Sequence, residues 1–90
     1  MRVIWASGAL ADYRNWRTQK PRIADKIDRL VADIKRTPFS GIGKPEPLKQ
    51  NMASLWSRRI TEEHRLVYRV MGKRGEERRL EILQCRFHYR

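Results

Sequence analysis

Four polar side chains are of types and at positions that could support acid–base chemistry on a phosphate ester. Glu46 is the only acidic residue in the segment 38–51, and His88 follows the last strand-like segment of the chain. Arg59 and Arg65 lie between them, on two segments that are also strand-like. Cleaving RNA without a metal ion requires a base for the ribose 2′-hydroxyl, an acid for the leaving 5′-oxygen, and positive charge to offset the phosphorane. A carboxylate, an imidazole and two guanidinium groups meet these requirements.

Each of these residues also has an ordinary structural interpretation. A glutamate between two prolines is usually a solvated loop charge, and a histidine near a chain terminus is usually a surface residue. Arginines on a sheet face are most simply phosphate binders or surface charges. The residues alone therefore leave three classes open: a ribonuclease, a non-catalytic basic module that binds RNA phosphates, and a subunit whose basic surface holds an acidic protein segment.

The composition favours a small folded protein with polyanionic partners. The 90 residues include 21 Lys and Arg against 10 Asp and Glu, which gives a formal net charge of +11. Such a charge favours nucleic acid or acidic protein segments as partners. Hydrophobic residues make up 40% of the chain, enough for one modest core. We therefore expect one domain over residues 1–90.

The cysteine count and the apolar runs narrow the class of protein further. Cys85 is the only cysteine and there are two histidines, so neither an internal disulfide nor a Cys/His metal site is expected. The longest apolar runs are three or four residues, whereas a membrane span needs roughly 20. We expect no metal, no cofactor and no membrane association, with a location in the reducing cytoplasm. Multi-domain enzymes, secreted disulfide scaffolds and membrane proteins are excluded.

A strand and two helices are predicted in the first part of the chain. Residues 3–5 are β-branched or aromatic and predict a strand, after which Ser7 could cap a helix. The apolar stripe of that helix consists of Ala9, Leu10, Tyr13 and Trp16. Pro21 suits the first turn of a second helix, which must end before Pro38. Its apolar stripe consists of Ile23, Ile27, Leu30, Val31 and Ile34, and its polar face of Arg22, Asp25, Lys26, Arg29, Asp33 and Arg36.

After a loop at 38–51 that is rich in glycine and proline, residues 55–60, 64–71 and 79–87 predict three strands in an antiparallel meander. Alternation places Ile60, Leu66, Tyr68, Val70, Leu83, Cys85 and Phe87 against the helices. The opposite, basic face carries Ser57, Arg59, Arg65, Arg69, Gln84, Arg86 and His88. His64 and Cys85 are expected to be structural, and the three tryptophans to be core residues. The pattern predicts an α+β fold, β-α-α-β-β-β, with a helical hairpin packed on one face of an antiparallel sheet.

Two segments of the chain resemble a known family. Residues 36–49 read RTPFSGIGKPEPLK and residues 56–68 read WSRRITEEHRLVY, and both are similar to the YoeB (Txe/YoeB) toxins of the RelE superfamily. Residues 3–5 and 85–89 are also similar, so the resemblance covers nearly the whole chain. It implies a RelE-like toxin of a type II toxin–antitoxin system that cuts translated mRNA in the A site of the 70S ribosome. It further implies a cognate antitoxin of the YefM/Phd type and is compatible with a homodimer.

The resemblance also implies roles for individual residues. Glu46 takes the role of general base, His88 that of general acid, Arg65 that of transition-state stabiliser, and Tyr89 that of the C-terminal aromatic near the scissile nucleotide. Lys49 and Arg59 match further positive positions of the cleft, and Glu63 matches an acidic residue that orients the arginines. We expect Lys44 and Arg86 to add to the phosphate-binding surface.

Overall fold

The structure is a computed structural model that describes residues 1–48, 54–73 and 75–88. Its elements are, in chain order, β1 (Arg2–Trp5), α1 (Ser7–Gln19), α2 (Pro21–Arg36), β2 (Glu46–Pro47), β3 (Leu55–Arg59), β4 (Arg65–Met71) and β5 (Arg79–Gln84). The predicted α+β class is confirmed. Strand β2 was predicted as loop, since two residues are too few to show a period. Its Pro47 is acceptable there because β2 lies at the edge of the sheet, where a missing N–H donor costs little.

The five strands form one sheet in the order β1-β5-β4-β3-β2. Strands β3, β4 and β5 form the predicted antiparallel meander. Strand β1 pairs with β5 in parallel. The sheet is therefore mixed rather than wholly antiparallel.

The helices pack on the sheet through the predicted apolar stripes. Helix α2 has Pro21 in its first turn and ends at Arg36, just before Pro38. The buried core cluster consists of Ala9, Trp16, Ala24, Ile27, Leu30, Ile34, Ile60, Leu66, Tyr68, Leu80, Ile82 and Cys85. Trp5 and Trp56 are partly buried against it, in agreement with the core role predicted for the tryptophans.

The predicted capping role of Ser7 is wrong. Helix α1 begins at Ser7, its N-cap residue is Ala6, and the cap has no side-chain hydrogen bond. The N–H of Ala6 donates to the carbonyl of Ile82 at 2.9 Å, and the carbonyl of Ala6 accepts from Leu10 at 2.9 Å. Ala6 thus ends the β1–β5 ladder and is also the N-cap residue of the helix, the position predicted for Ser7.

The predicted alternation fails on the last strand. Tyr68 pairs with Ile82, but the adjacent Val67 pairs with Gln84, which marks an irregularity between β4 and β5. Ile82 is fully buried in the core, whereas Leu83 is only half-buried. Because β5 ends at Gln84, the alternation does not reach Phe87, whose side chain is exposed rather than packed against the helices.

Asp33 was predicted on the solvent face of α2, but it is buried with only 7% of its surface exposed. Its Oδ2 accepts a hydrogen bond from Arg58 Nη1 at 2.6 Å. Arg58 is fully buried because it lies on the helix side of β3 with Trp56, pairs with the buried Leu66, and precedes by two residues the buried Ile60 just after the strand. The ion pair allows the two charges to be buried together.

Arg58 also holds the loop that leads to β2. Its guanidinium donates to three loop carbonyls, those of Thr37 at 2.6 Å, Ser40 at 2.7 Å and Ile42 at 3.1 Å. Asp33 Oδ2 accepts in turn from the N–H of Ile42 at 3.0 Å. Gly41 lies so close that a Cβ there would stand 2.0 Å from the Asp33 carboxylate. We call this group of contacts the loop clamp.

Replacing Arg58 with Met is expected to lower the free energy of unfolding by about 3–5 kcal/mol, the range for removing one partner of a buried ion pair. The methionine fills much of the volume but leaves the three loop carbonyls without their donor. Urea unfolding followed by circular dichroism measures the loss. Arg29→Met, at an exposed position on α2, is the control. A change equal to that of the control would contradict the clamp.

The loop clamp also predicts how stability depends on pH. The hydrogen bond from Arg58, followed by that from the N–H of Ile42, holds the pKa of the Asp33 carboxyl below its usual value. A lowered folded-state pKa stabilises the fold above the unfolded-state pKa, about 3.9, and this contribution is lost as pH falls through the folded-state pKa. The gap in thermal midpoint between wild type and Asp33→Asn should therefore narrow as pH is lowered from about 5 to 2. A gap independent of pH would contradict the assignment.

Candidate functional site

Glu46 lies on the edge strand β2 with its side chain exposed to solvent. It pairs with Ser57 on β3, and the N–H of Leu48 donates to the carbonyl of Leu55 at 2.9 Å just beyond. The loop clamp fixes the chain before it, and the N–H of Arg59 donates to the carbonyl of Gly43 at 2.6 Å. Glu46 therefore stands on a backbone that is anchored from both sides.

Glu46 belongs to a row of paired residues that crosses the sheet. Glu46 pairs with Ser57, Ser57 with Val67, and Val67 with Gln84. Directly paired residues of antiparallel strands project to the same face. The Nε2 of Gln84 donates to the carbonyls of Arg86 at 2.7 Å and His88 at 2.9 Å. The row thus joins Glu46 at one end to the residue that holds His88 at the other.

Arg59 and Arg65 lie on the same face as Ser57, directly opposite each other at the ends of β3 and β4. Like charges at directly opposite positions repel each other. Both side chains are half-buried, and Arg59 Nε is buried without a hydrogen-bond partner among the described residues. A buried donor without a partner carries a desolvation cost. An anion such as a phosphate would relieve both the repulsion and this cost.

Residues Arg86, Phe87 and His88 form a turn after β5, which we call the C-terminal turn. The N–H of Arg65 donates to the carbonyl of Phe87 at 3.0 Å, so the turn lies beside the start of β4. The guanidinium of Arg86 lies over the ring of Phe87, 4.8 Å from its centroid. His88 is exposed. The turn therefore presents an imidazole and a cation near the two arginines.

Of the remaining predicted site residues, the structure describes Lys44 and Glu63 but not Lys49 and Tyr89. Lys44 is exposed and adopts a positive φ of 52°. Glu63 is exposed in the turn between β3 and β4, and it takes part in none of the five ion pairs found among the described residues. The predictions for Lys49 and Tyr89 fall outside the described residues.

Sequence reasoning missed Arg58 and assigned no functional contact to His64 or Gln84. For Arg58 a signal was available, because it alternates with Trp56 and Ile60, two residues of apolar type. No sequence signal exists for Gln84, because its three carbonyl partners lie in an irregular turn whose backbone shape the sequence does not reveal.

In the part of the chain that the structure describes, no three His, Cys, Asp or Glu side chains cluster as metal ligands would. The thiol of Cys85 lies in the core and donates to the carbonyl of Ala9 at 3.3 Å. Burial raises the pKa of this thiol to about 12, so it stays neutral at physiological pH.

A shallow groove of about 410 Å³ runs beside the C-terminal turn and is lined by Gly8, Asp12, Leu83, Gln84, Arg86, Phe87 and His88. Neither described helix has the length and apolar character of a membrane span.

The chain is similar to proteins of one family over nearly its whole length. The family described as YoeB-like toxin of bacterial type II toxin-antitoxin system matches residues 5–89. Toxin YoeB of Escherichia coli K12 is 51% identical over 89 residues, which are 99% of this chain and 100% of that protein. A YoeB/ParE toxin structure from Agrobacterium tumefaciens is 53% identical and aligns with a TM-score of 0.91, covering 99% of this chain and 100% of its own.

Two structures from Staphylococcus aureus are similar as well. A YoeB dimer and a heterotetrameric YoeB-YefM toxin-antitoxin complex both align at 36% identity, with TM-scores of 0.88 and 0.85. In each case the alignment covers 99% of this chain and 98% of the other. The chain therefore belongs to the YoeB family of toxins of bacterial type II toxin–antitoxin systems.

Proposed function

We propose that this toxin is a ribosome-dependent endoribonuclease that cleaves translated mRNA in the ribosomal A site and so inhibits translation. The observation that carries the proposal is the pair of opposed arginines, Arg59 and Arg65, on a sheet face that has Glu46 along one flank and the C-terminal turn along the other. Family membership supports the same assignment. The reaction needs no metal ion in this proposal, and its place is the cytoplasm, where the ribosomes are.

The proposed reaction is an internal transfer at phosphorus. The carboxylate of Glu46 accepts the proton of the ribose 2′-hydroxyl while the 2′-oxygen attacks the adjacent phosphorus. The bond to the 5′-oxygen breaks, and the imidazolium of His88 gives its proton to that leaving oxygen. The products are a 2′,3′-cyclic phosphate and a 5′-hydroxyl end. Arg65, assisted by Arg59, stabilises the additional negative charge of the phosphorane.

The remaining site residues hold the RNA in this proposal. Lys44, Lys49 and Arg86 contact phosphates, Tyr89 stacks near the scissile nucleotide, and Glu63 orients the arginines once substrate is bound. Stacking of a base on an aromatic ring is worth roughly 1–3 kcal/mol. We therefore expect substitutions here to weaken binding more than they slow the chemical step.

The ribosome is needed because Glu46 and His88 are both exposed in the free protein. Exposed side chains sample many orientations, whereas in-line attack requires the 2′-oxygen, the phosphorus and the leaving oxygen to align. Fixing reacting groups in alignment can be worth several kcal/mol. By holding the mRNA in the A site, the ribosome supplies the alignment that the free toxin lacks.

The experiment that tests this function is an analysis of the RNA ends produced from a short message, either on 70S ribosomes or free. The proposal predicts cleavage on the ribosome that leaves a 2′,3′-cyclic phosphate and a 5′-hydroxyl, with little cleavage of free RNA. A 5′-phosphate end, or equal rates on free and ribosome-bound RNA, would contradict it.

Binding to ribosomes is expected to weaken steeply with salt, because a protein of net charge +11 releases counterions from RNA phosphates. Six to ten phosphate contacts weaken affinity by about 10³–10⁵-fold when salt is raised from about 50 to 200 mM. Even with fewer contacts, the toxin should lose at least about tenfold in affinity over this range of KCl concentration. Lys44→Gln should reduce the slope of log affinity against log salt by about one, and Glu62→Gln should not. Sedimentation with 70S ribosomes measures the affinity, and a flat salt response would count against rRNA contacts.

We further propose that a cognate antitoxin of the YefM/Phd type neutralises the toxin by covering the opposed arginines with an acidic segment. The YoeB-YefM complex from Staphylococcus aureus supports a partner of this kind, and the YoeB dimer from the same organism supports a homodimer. An acidic, partly disordered segment suits a surface of this charge. Antitoxin and mRNA should then compete, and a complex that still cleaves mRNA would contradict the proposal.

A further inference from the structure

His64 is a buried histidine that links the two segments on which the proposed chemistry depends. It lies between β3 and β4, and only 8% of its surface is exposed. Its ring contacts two aromatic rings, that of Trp16 at 4.8 Å between centroids and that of Phe87 at 5.4 Å. Its Nδ1 accepts a hydrogen bond from the backbone N–H of Phe87 at 2.8 Å.

We propose that His64 is a positioning residue: as a neutral imidazole with Nδ1 as acceptor, it fixes the backbone of Phe87 and thereby aims His88 at the leaving oxygen. This inference rests on the proposed function, since it assigns to His64 the orientation of the general acid. It adds a residue for which neither the sequence nor the proposed reaction had a role.

The first support is the backbone of Phe87. Its φ of 59° is left-handed, a conformation that a bulky aromatic residue adopts only when its surroundings impose it. Both polar groups of its backbone are engaged, the N–H by His64 Nδ1 and the carbonyl by the N–H of Arg65. Without the imidazole acceptor, one of these two constraints is lost.

The second support is the way His64 is itself held. Its carbonyl accepts from the N–H of Ile60 at 2.9 Å and of Thr61 at 3.2 Å, and its N–H donates to Thr61 Oγ1 at 3.1 Å. These contacts form the turn that connects Arg59 to Arg65. The backbone of His64 therefore belongs to the arginine side of the site, and its side chain reaches the C-terminal turn.

The third support is the protonation pattern that the hydrogen bond demands. A backbone N–H can only donate, so the Nδ1 that faces it must carry a lone pair. In the neutral ring the proton then resides on Nε2. The amide of Gln84 holds only carbonyls of the C-terminal turn, those of Arg86, Phe87 and His88, whereas His64 Nδ1 accepts the N–H of Phe87.

The test compares His64→Asn, which retains an acceptor near the Nδ1 position, with His64→Leu and His64→Gln, which do not. On ribosomes, Leu and Gln should lower the single-turnover rate constant by about 100-fold, the effect of misplacing a catalytic group by an ångström. Ribosome affinity should stay unchanged, and Asn should restore most of the rate. Equal rates for Asn and Leu, or a loss of affinity that accounts for the whole effect, would overturn the proposal.

A second readout does not depend on catalysis. Nitrogen-15 NMR of the free toxin should show His64 Nδ1 without a proton, and hydrogen exchange should show the Phe87 amide protected in wild type and Asn but not in Gln or Leu. A protonated Nδ1, or an amide equally protected in all four proteins, would overturn the inference. If wild type failed to cleave on ribosomes while this pattern held, the proposed function would be wrong and the hydrogen bond correct. Should Leu fail to fold, Gln and Asn decide the question.

Discussion

Glu46→Gln is expected to lower the single-turnover rate constant for mRNA cleavage on the ribosome by about 10²–10⁴-fold, the usual contribution of general acid–base catalysis. Glutamine keeps the size of the side chain and its place on β2 but cannot accept the 2′-hydroxyl proton. Because Glu46 is exposed and β2 is anchored by backbone hydrogen bonds, the thermal midpoint should barely change. Quenched-flow cleavage of an A-site message on preformed complexes measures the rate.

Glu62→Gln is the matched control for this substitution. Glu62 is also an exposed glutamate, and its replacement changes the net charge by the same amount at a residue with no proposed part in the reaction. Its rate should stay near that of wild type. If both variants lost activity equally, or if Glu46→Gln lost only ribosome affinity, Glu46 would be a binding residue rather than the base.

The second large effect concerns the opposed arginines. Arg65→Gln should lower the rate constant by about 10²–10³-fold, comparable with removing one donor that stabilises transition-state charge. It should also leave stability unchanged or raise it by up to about 1 kcal/mol, since it relieves the repulsion between like charges paired across two strands. A loss of activity without a loss of stability distinguishes a functional arginine from a structural one.

Arg29→Gln controls for the change in net charge, because Arg29 is exposed on α2 and has no proposed role. Rates are measured at saturating ribosome concentration, so that weaker encounter does not count as slower chemistry. Adding Arg59→Gln to Arg65→Gln should cost less than the sum of the two single effects, since both act on one phosphate. Full additivity, or a fall in the thermal midpoint with Arg65→Gln alone, would contradict a shared anion site.

The helices and the meander follow from local sequence signals. Pro21 and Pro38 mark the ends of α2, and apolar residues between them recur with the helical period. The places where prediction fails are those where tertiary contacts decide. Asp33 has the sequence position of a surface charge, and only its pairing with the buried Arg58 brings it inward. A charged pair on two distant elements leaves no periodic signal.

The sequence allowed the types of the site residues to be predicted, but not all of their positions in space. Arg59 and Arg65 come together as expected because their strands are adjacent and antiparallel. Strand alternation could not describe the C-terminal turn. Its shape depends on the left-handed Phe87, on the hydrogen bond that Gln84 donates to the carbonyl of His88, and on the one that His64 Nδ1 accepts from the N–H of Phe87. Such contacts depend on backbone geometry, which alternation does not encode.

A 3′-end map of a short message on 70S ribosomes tests most directly whether Glu46 and His88 carry out acid–base cleavage of mRNA in the A site. Wild type, Glu46→Ala and His88→Ala are compared, with free RNA alongside. We expect cuts at one position of the A-site codon that require the ribosome and disappear in both variants. Intact message in every lane, together with tight ribosome binding that neither substitution disturbs, would instead identify a basic RNA-binding module without catalysis.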